Sequence, residues 1–102
     1  MKTLLTLPAL LALVLVPTLS QARDLGPDEA IRLRDAGTIL PFEQLNAAAR
    51  AQHPGASIAE TELEEEYGRY IYQLELRDPR GVMWDLELDA TTGQILKNHQ
   101  DD

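Results

Sequence analysis

The sequence predicts an α+β domain in which one or two N-terminal helices pack on a four-stranded antiparallel β-meander. Two observations predict this class. Apolar residues recur at intervals of three and four between residues 27 and 53, which is the period of an amphipathic helix. From Ala56 onward the period changes to two, and short turns that contain glycine divide this part of the chain into strands.

The first 22 residues have the features of an export signal. Lys2 supplies a positive start, residues 4–16 form an apolar run, and Ser20 and Ala22 place small residues where a signal peptidase cleaves. This run of 13 residues is shorter than the roughly 20 that span a bilayer. We expect cleavage after Ala22 and no stable membrane insertion afterwards. The product would be one domain over residues 23–102, in the bacterial periplasm or secreted.

Two helices are predicted after this segment. The first begins near Pro27, since proline suits the first position of a helix, and Gly37 is a stop signal. The second runs from near Pro41 to just before His53. Its apolar face is rich in alanine, which suits close packing on a sheet, and comprises Phe42, Leu45, Ala48 and Ala49.

Four strands are predicted over residues 57–66, 69–78, 82–90 and 94–98. Each of the three turns between them ends in glycine, as tight hairpin turns commonly do. These turn lengths set the register: Leu63 should lie opposite Tyr72, and Leu76 opposite Trp84. Three consecutive hairpins give an antiparallel meander.

One face of this sheet is predicted to be apolar and covered by the second helix. Ile58 has the wrong parity for that face, so we expect a β-bulge or a later start of the first strand. The residues predicted to lie on the apolar face are Leu63, Tyr70, Tyr72, Leu74, Leu76, Trp84, Leu86, Leu88 and Leu96.

The opposite face is predicted to be strongly acidic, with Glu75 directly opposite Asp85. Its acidic residues are Glu60, Glu62, Glu64, Glu66, Glu75, Asp85, Glu87 and Asp89, against only Arg69, Arg77 and Lys97. Such a face can simply keep the protein soluble and protect the sheet against other strands. If the strand over residues 57–66 lies at the edge of the sheet, it could also accept a strand from a partner.

Two functional alternatives for this acidic face remain open. A basic surface of a protein partner could dock on it, in which case the contact residues are Glu60, Glu62, Glu64, Arg77, Asp85 and Glu87. A divalent cation could bind instead, and calcium is favoured because every ligand would be oxygen. The candidate ligands for calcium are Glu75, Asp85, Glu87 and Asp89.

The composition excludes several other functions. The chain has no cysteine, which rules out thiol catalysis and disulfides. Its net charge of −8 makes it a poor nucleic-acid binder. After residue 22 the only serine is Ser57, and the two histidines are His53, at a predicted helix end, and His99, in a tail expected to fray. We therefore expect a non-enzymatic protein without catalytic residues or a cofactor.

Several segments together resemble the PepSY domain over about residues 42–98. These are Pro54-Gly55 after a helix, the strand Tyr70-Ile71-Tyr72, and Asp89-Ala90-Thr91-Thr92-Gly93-Gln94-Ile95-Leu96 near the end. The turn Tyr67-Gly68 stands where Asp-Gly is more common. The resemblance implies an exported, non-catalytic module that inhibits or modulates a peptidase or an envelope sensor protein. It implies nothing about the oligomeric state.

Overall fold

The computed structural model describes residues 22–101, so all of the predicted export signal except Ala22 lies outside the described residues. Two helices and five strands make up the described chain. Their bounds are β1 Arg23–Asp24, α1 Pro27–Asp35, α2 Phe42–Gln52, β2 Ser57–Glu66, β3 Arg69–Arg77, β4 Met83–Asp89 and β5 Ile95–Gln100.

Both predicted helices are present. Helix α1 starts with Pro27 and carries acids in its first turn and arginines in its last turn, which suits the helix dipole. Gly37 follows it with φ +77°, a left-handed conformation that glycine adopts without strain. Helix α2 buries Leu45 and Ala49 completely against the sheet. The alanine-rich face therefore covers the sheet as expected.

The sheet has the strand order β1-β2-β3-β4-β5, and every pair is antiparallel. The predicted four-stranded meander is confirmed as β2 to β5, with Leu63 opposite Tyr72 and Leu76 opposite Trp84. Strand β1 is an addition that the sequence did not reveal. Its two residues pair with Glu64 and Glu65, and two residues are too few to show a period.

Two β-bulges shift the alternation of side chains. The first leaves Ala59 unpaired and brings Ile58 opposite Leu76, as the parity of Ile58 predicted. The second leaves Leu96 unpaired, because Lys97 pairs with Glu87 and Ile95 with Leu88. The prediction that Leu96 faces the core is wrong: the bulge reverses the alternation, Leu96 is 37% exposed, and Ile95 packs against the core in its place.

The hydrophobic core lies between the sheet and the two helices, and the predicted apolar face forms most of it. Tyr70 and Trp84 are only partly buried at its margin. The buried residues of this cluster are Leu25, Ala30, Ile39, Leu45, Ala49, Ala56, Leu63, Tyr72, Leu74, Leu76, Leu86, Leu88 and Ala90. Within residues 22–101 no helix is long and apolar enough to cross a membrane.

Candidate functional site

The face of the sheet that points away from the helices carries rows of carboxylates, and we call it the acidic face. Antiparallel partners share a face, so alternation along β2, β3 and β4 collects these residues. One row places Glu60 opposite Glu75 and Glu75 opposite Asp85. The next row runs from Glu62 through Gln73 to Glu87. The acidic face comprises Glu60, Glu62, Glu64, Glu66, Glu75, Asp85, Glu87 and Asp89.

This register brings together the carboxylates that were predicted to bind a partner. Arg77 lies on the same side of β3, two residues after Glu75 and therefore on the diagonal from Asp85. Among the described residues Arg77 forms no salt bridge within 4.0 Å, so it does not pair with either carboxylate. The guanidinium of Arg77 therefore does not neutralise the negative charge of this row.

Three carboxylates converge at one end of the acidic face. Glu75, Asp85 and Asp101 each offer an oxygen, and these oxygens lie within 4.8 Å of one another. Asp101 reaches the cluster because its backbone N–H donates to the carbonyl oxygen of Met83 at 2.8 Å. Partial burial, followed by the charges of Asp85, Asp101 and Glu60, raises the pKa of Glu75 above its ordinary value. Such a cluster can share a proton or attract a hard cation.

Only part of the predicted calcium set lies in this cluster. Glu87 lies in the neighbouring row, opposite Gln73 and Lys97. The carboxylate of Asp89 serves the turn that follows β4: it accepts hydrogen bonds from the backbone N–H of Thr91 at 2.9 Å and from Arg69 at 3.2 Å. Burial opposes its ionisation, but these bonds outweigh it and hold the pKa of Asp89 below its ordinary value. Asp101, which the sequence did not single out, is the third member.

One residue of the acidic face is apolar and buried. Ile71 lies opposite Glu64 on one side and Asp89 on the other, yet it is only 4% exposed. Burial, then the charges of Glu66 and other nearby acids, raises the pKa of Glu64. Gln73 donates a hydrogen bond to Glu64 at 3.1 Å. The register places Ile71 on this face, and its burial there was not predicted from the sequence.

A second feature lies at the β2 edge of the sheet. Strand β1 pairs with Glu64 and Glu65, and the N–H of Leu25 donates to the carbonyl oxygen of Leu63 at 2.8 Å. No other described strand pairs with β2 on this side, so residues 57–62 form an open edge. A groove of about 640 Å³ lies beside it, between α1 and the sheet. We call it the α1 groove. It was not predicted, because the sequence does not say where α1 lies.

The polar groups on the helix side of the sheet are engaged in structural contacts. The hydroxyl of Tyr72 donates to Oδ1 of Asn46 at 2.8 Å. His53 stacks on Trp84, with a distance of 4.2 Å between ring centroids. His99 does not fray: it lies in β5 opposite Asp85, and so on the acidic face. The two histidines therefore lie on opposite sides of the sheet and cannot act as a pair.

Comparisons with known proteins place this geometry in a family. Residues 39–99 match the PepSY family, described as "Peptidase propeptide and YPEB domain". The uncharacterized protein YkoJ of Bacillus subtilis (strain 168) is 35% identical over 48 residues, which are 47% of this chain and 28% of that protein. The chain therefore spans less than a third of the length of this curated relative. No solved structure gives a significant match.

The family match covers enough of the chain to assign it to the family. PepSY domains are often associated with peptidase propeptides or regulatory modules, and they are typically extracellular or periplasmic. The matched residues include α2 and all of β2, β3 and β4, which carry most of the core and the whole acidic face. Because the match covers more than half of the sequence and ends within β5, this chain belongs to the PepSY family.

Proposed function

We propose that this chain is an exported, non-enzymatic module that binds a peptidase or the sensor domain of an envelope protein and inhibits or modulates it. The observation that carries the proposal is the acidic face, where eight carboxylates lie on three adjacent strands. The association of PepSY domains with peptidase propeptides supports the class of partner.

A basic surface of the partner fits the acidic face best. Like charges such as Glu75 and Asp85 lie directly opposite each other, which costs free energy in the unbound protein. A partner that supplies lysine or arginine side chains relieves this repulsion and is also steered toward the face during diffusion. Binding should therefore weaken and slow as the salt concentration rises.

Export follows from the predicted signal, and the usual extracellular or periplasmic location of the family supports it. Cleavage after Ala22 leaves Arg23 as the first residue. Arg23 also forms salt bridges with Glu29 in α1 and Glu65 in β2, at 3.2 and 2.9 Å. The processed chain would then begin inside the sheet. Mass spectrometry of the chain purified from culture medium or periplasm measures the cleavage position.

The proposal is tested with the full chain, expressed from Met1 and purified as the host processes it. Proteins retained from a bacterial envelope extract are identified by mass spectrometry, produced in pure form and titrated with the chain. We expect the pure partner to lose peptidase or signalling activity as the chain saturates it. A partner that binds with no change in activity would contradict inhibition or modulation.

The contact surface is tested with a double variant, Asp85→Lys with Glu87→Lys, which changes only the acidic face. A matched control adds the same positive charge on the exposed side of α2, by changing Gln44, Ala47, Ala51 and Gln52 to lysine. We expect the first variant to bind the partner at least about tenfold more weakly, since close charge pairs contribute more than 1 kcal/mol each. Equal affinity of the two variants would show that the partner docks elsewhere.

Calcium binding stays a prediction, favoured by one observation: the oxygens of Glu75, Asp85 and Asp101 lie within 4.8 Å of one another. Calcium titration followed by amide chemical shifts would test it, with Glu75→Gln as the disabled variant and Glu43→Gln as its control. Shifts at about 1 mM calcium, the range of weak extracellular sites, are expected around these residues. A spectrum that calcium leaves unchanged would reject the cation-responsive alternative.

A further inference from the structure

We propose that the open edge of β2, residues 57–62, and the α1 groove together bind one extended segment of the protein partner as an added strand. The segment should alternate apolar and basic residues. This inference rests on the proposed function, since it names the kind of partner segment and the way in which it binds. It adds a binding surface that is separate from the centre of the acidic face.

The backbone of β2 is available at this edge. The carbonyl oxygen of Leu63 accepts a hydrogen bond from Leu25, so the backbone groups of Leu63 point away from β3. Backbone directions repeat every second residue, and there is no bulge between Thr61 and Leu63. The N–H and carbonyl of Thr61 therefore also point to the open edge. After Leu25 the chain leaves the sheet for α1, and the described residues supply no strand beside Thr61.

The α1 groove determines which side chains fit at every second position of the bound segment. An added strand beside Thr61 would direct every second side chain to the helix side of the sheet, where the groove lies. The wall of the groove is mostly apolar, and Ile31 in α1 is 43% exposed there. Arg34 also lines it, with its guanidinium 5.8 Å from the ring centre of Phe42. Asp24 and Glu62 also line the groove, so its charged residues, with Arg34, are of both signs. An apolar side chain fits the apolar part of its wall.

The other half of the side chains would stand on the acidic face. They would lie beside Glu60 and Glu62 on β2, and Asp24 at the end of β1 has the same orientation as Glu64, its partner in the register. Lysine or arginine at these positions would complement the charge. Apolar residues alternating with basic ones therefore satisfy both sides of the added strand.

Two other occupants, a second copy of this chain and its own N-terminal segment, fit the open edge less well. If a second copy of this chain paired through its own β2, Glu60 and Glu62 of the two copies would meet, and like charges across strands are destabilising. Strand β1 begins at Arg23, opposite Glu65 and away from the open edge, and the proposed cleavage after Ala22 would remove the preceding residues. A basic segment of another protein faces neither obstacle.

The test uses the full chain, expressed from Met1 and purified as processed, and a fluorescent eight-residue peptide that alternates lysine and valine. Binding is followed by fluorescence anisotropy at low salt. Two control peptides alternate glutamate with valine, or carry the lysines and valines in separate blocks. We expect only the alternating basic peptide to bind. No binding of this peptide, or equal binding of the block peptide, would overturn the inference.

Two variants at one position separate the edge from the acidic face. Thr61→Pro removes the N–H that points to the open edge, and proline is tolerated on edge strands. Thr61→Val keeps this N–H and loses only the hydroxyl, which hydrogen-bonds to Tyr72. We expect the proline variant to bind the peptide about tenfold more weakly, as for the loss of a backbone hydrogen bond, and the valine variant to bind within twofold of the parent. Equal binding by the proline variant would overturn the inference.

Hydrogen exchange in the unchanged chain gives a result that does not depend on how the variants fold. The peptide should slow exchange of the Thr61 amide and leave that of Ala47, on the exposed side of α2, unchanged. Protection confined to β4, or dimerisation without peptide, would contradict the proposed occupant. Loss of partner binding in Asp85→Lys/Glu87→Lys but not in Thr61→Pro would leave the proposed function standing and reject the added strand. Peptide binding at Thr61 combined with the absence of any regulated partner would support the added strand and reject the proposed function.

Discussion

The imidazole of His53 stacks on the indole of Trp84, with ring centroids 4.2 Å apart and an angle of 28° between the ring planes. This contact attaches the end of α2 to β4. Nε2 of His53 also lies 2.7 Å from Oδ1 of Asn98 in β5, within hydrogen-bonding distance. The indole N–H of Trp84 donates to Asp78 at 3.2 Å. One connected set of side chains therefore joins the helix, two strands and the turn between β3 and β4.

Trp84→Ala should destabilise the fold by about 2–4 kcal/mol, somewhat less than for a fully buried tryptophan, because Trp84 is only partly buried. The loss combines the packing against the core with the stacking on His53. Trp84→Phe keeps an aromatic ring and should lose only about 1 kcal/mol with the indole hydrogen bond. Urea unfolding measures both. An alanine variant as stable as the parent would mean that Trp84 is not part of the core.

Asp78→Asn should remove an acid-sensitive part of the stability. The Asp78 side chain is 8% exposed, and it accepts hydrogen bonds from the backbone N–H of Val82 and of Arg80, both at 2.9 Å. The bond from Val82, more than any other interaction, holds the pKa of Asp78 below its ordinary value, against the effect of burial. The folded state thus binds protons more weakly than the unfolded state.

The sign of the pH dependence follows from this difference. The stabilisation by Asp78 is fully present above the unfolded pKa, about 4, and is lost as the pH falls through the lower pKa of the folded state. Urea unfolding from pH 6 down to pH 2.5 should show a smaller acid-induced loss in Asp78→Asn than in the parent. Asp35→Asn, at an exposed carboxylate in α1, is the control. Parallel curves for Asp78→Asn and the parent would contradict the prediction.

Glu75→Gln should change the pH dependence of stability in the opposite direction to Asp78→Asn. Burial and the charges of Asp85, Asp101 and Glu60 raise the pKa of Glu75, so the folded state binds this proton more tightly than the unfolded state. The parent should therefore gain stability as the pH falls from neutrality toward the unfolded pKa of about 4.3, because the folded state takes up the Glu75 proton at a higher pH than the unfolded state does. Glu75→Gln should be more stable than the parent at pH 7, and its gain on acidification should be smaller.

Thermal melts at pH 7 and pH 5 measure the effect of Glu75→Gln, and added salt gives an independent check. Because screening weakens repulsion between exposed charges, 0.5 M sodium chloride should stabilise the parent more than the variant. Glu43→Gln, on an exposed position of α2, should respond as the parent does. A Glu75→Gln variant that is less stable than the parent at pH 7 would show that the cluster is held by a favourable interaction, such as a bound cation.

The register of the meander was predictable because two independent constraints agree on it. The turn lengths fix which residues face each other, and the side-chain period fixes which face is buried. Ile58 broke the period, which predicted either a bulge or a later start of the strand, and the structure has the bulge. Ile95 and Leu96 are both apolar and adjacent, so the period could not decide between them. The bulge opposite Leu88 places Ile95 rather than Leu96 against the core, and no residue type in the sequence marks that bulge.

The acidic face was predictable for the same reason, including Glu75 opposite Asp85. Asp101 was not, because it comes from a polar tail without a period and is placed by one backbone hydrogen bond to Met83. The α1 groove depends on where α1 lies, and the pairing of Leu25 with Leu63 fixes that. Contacts of this kind join elements that are distant in sequence, so patterns among neighbouring residues do not predict them.

Tyr67→Asn should stabilise the protein by about 0.5–1 kcal/mol, because Tyr67 has φ +52°, a left-handed conformation that costs most residues free energy. Gly68 follows with φ +81°, so both central residues of the β2–β3 turn are left-handed, and this turn type favours Asn-Gly. The Tyr67 side chain is 75% exposed, so its loss should cost little packing. Tyr67→Ala keeps the strain without the ring and should stay within about 0.5 kcal/mol of the parent. If urea unfolding found the asparagine and alanine variants equally stable, the left-handed conformation of Tyr67 would not be a source of strain.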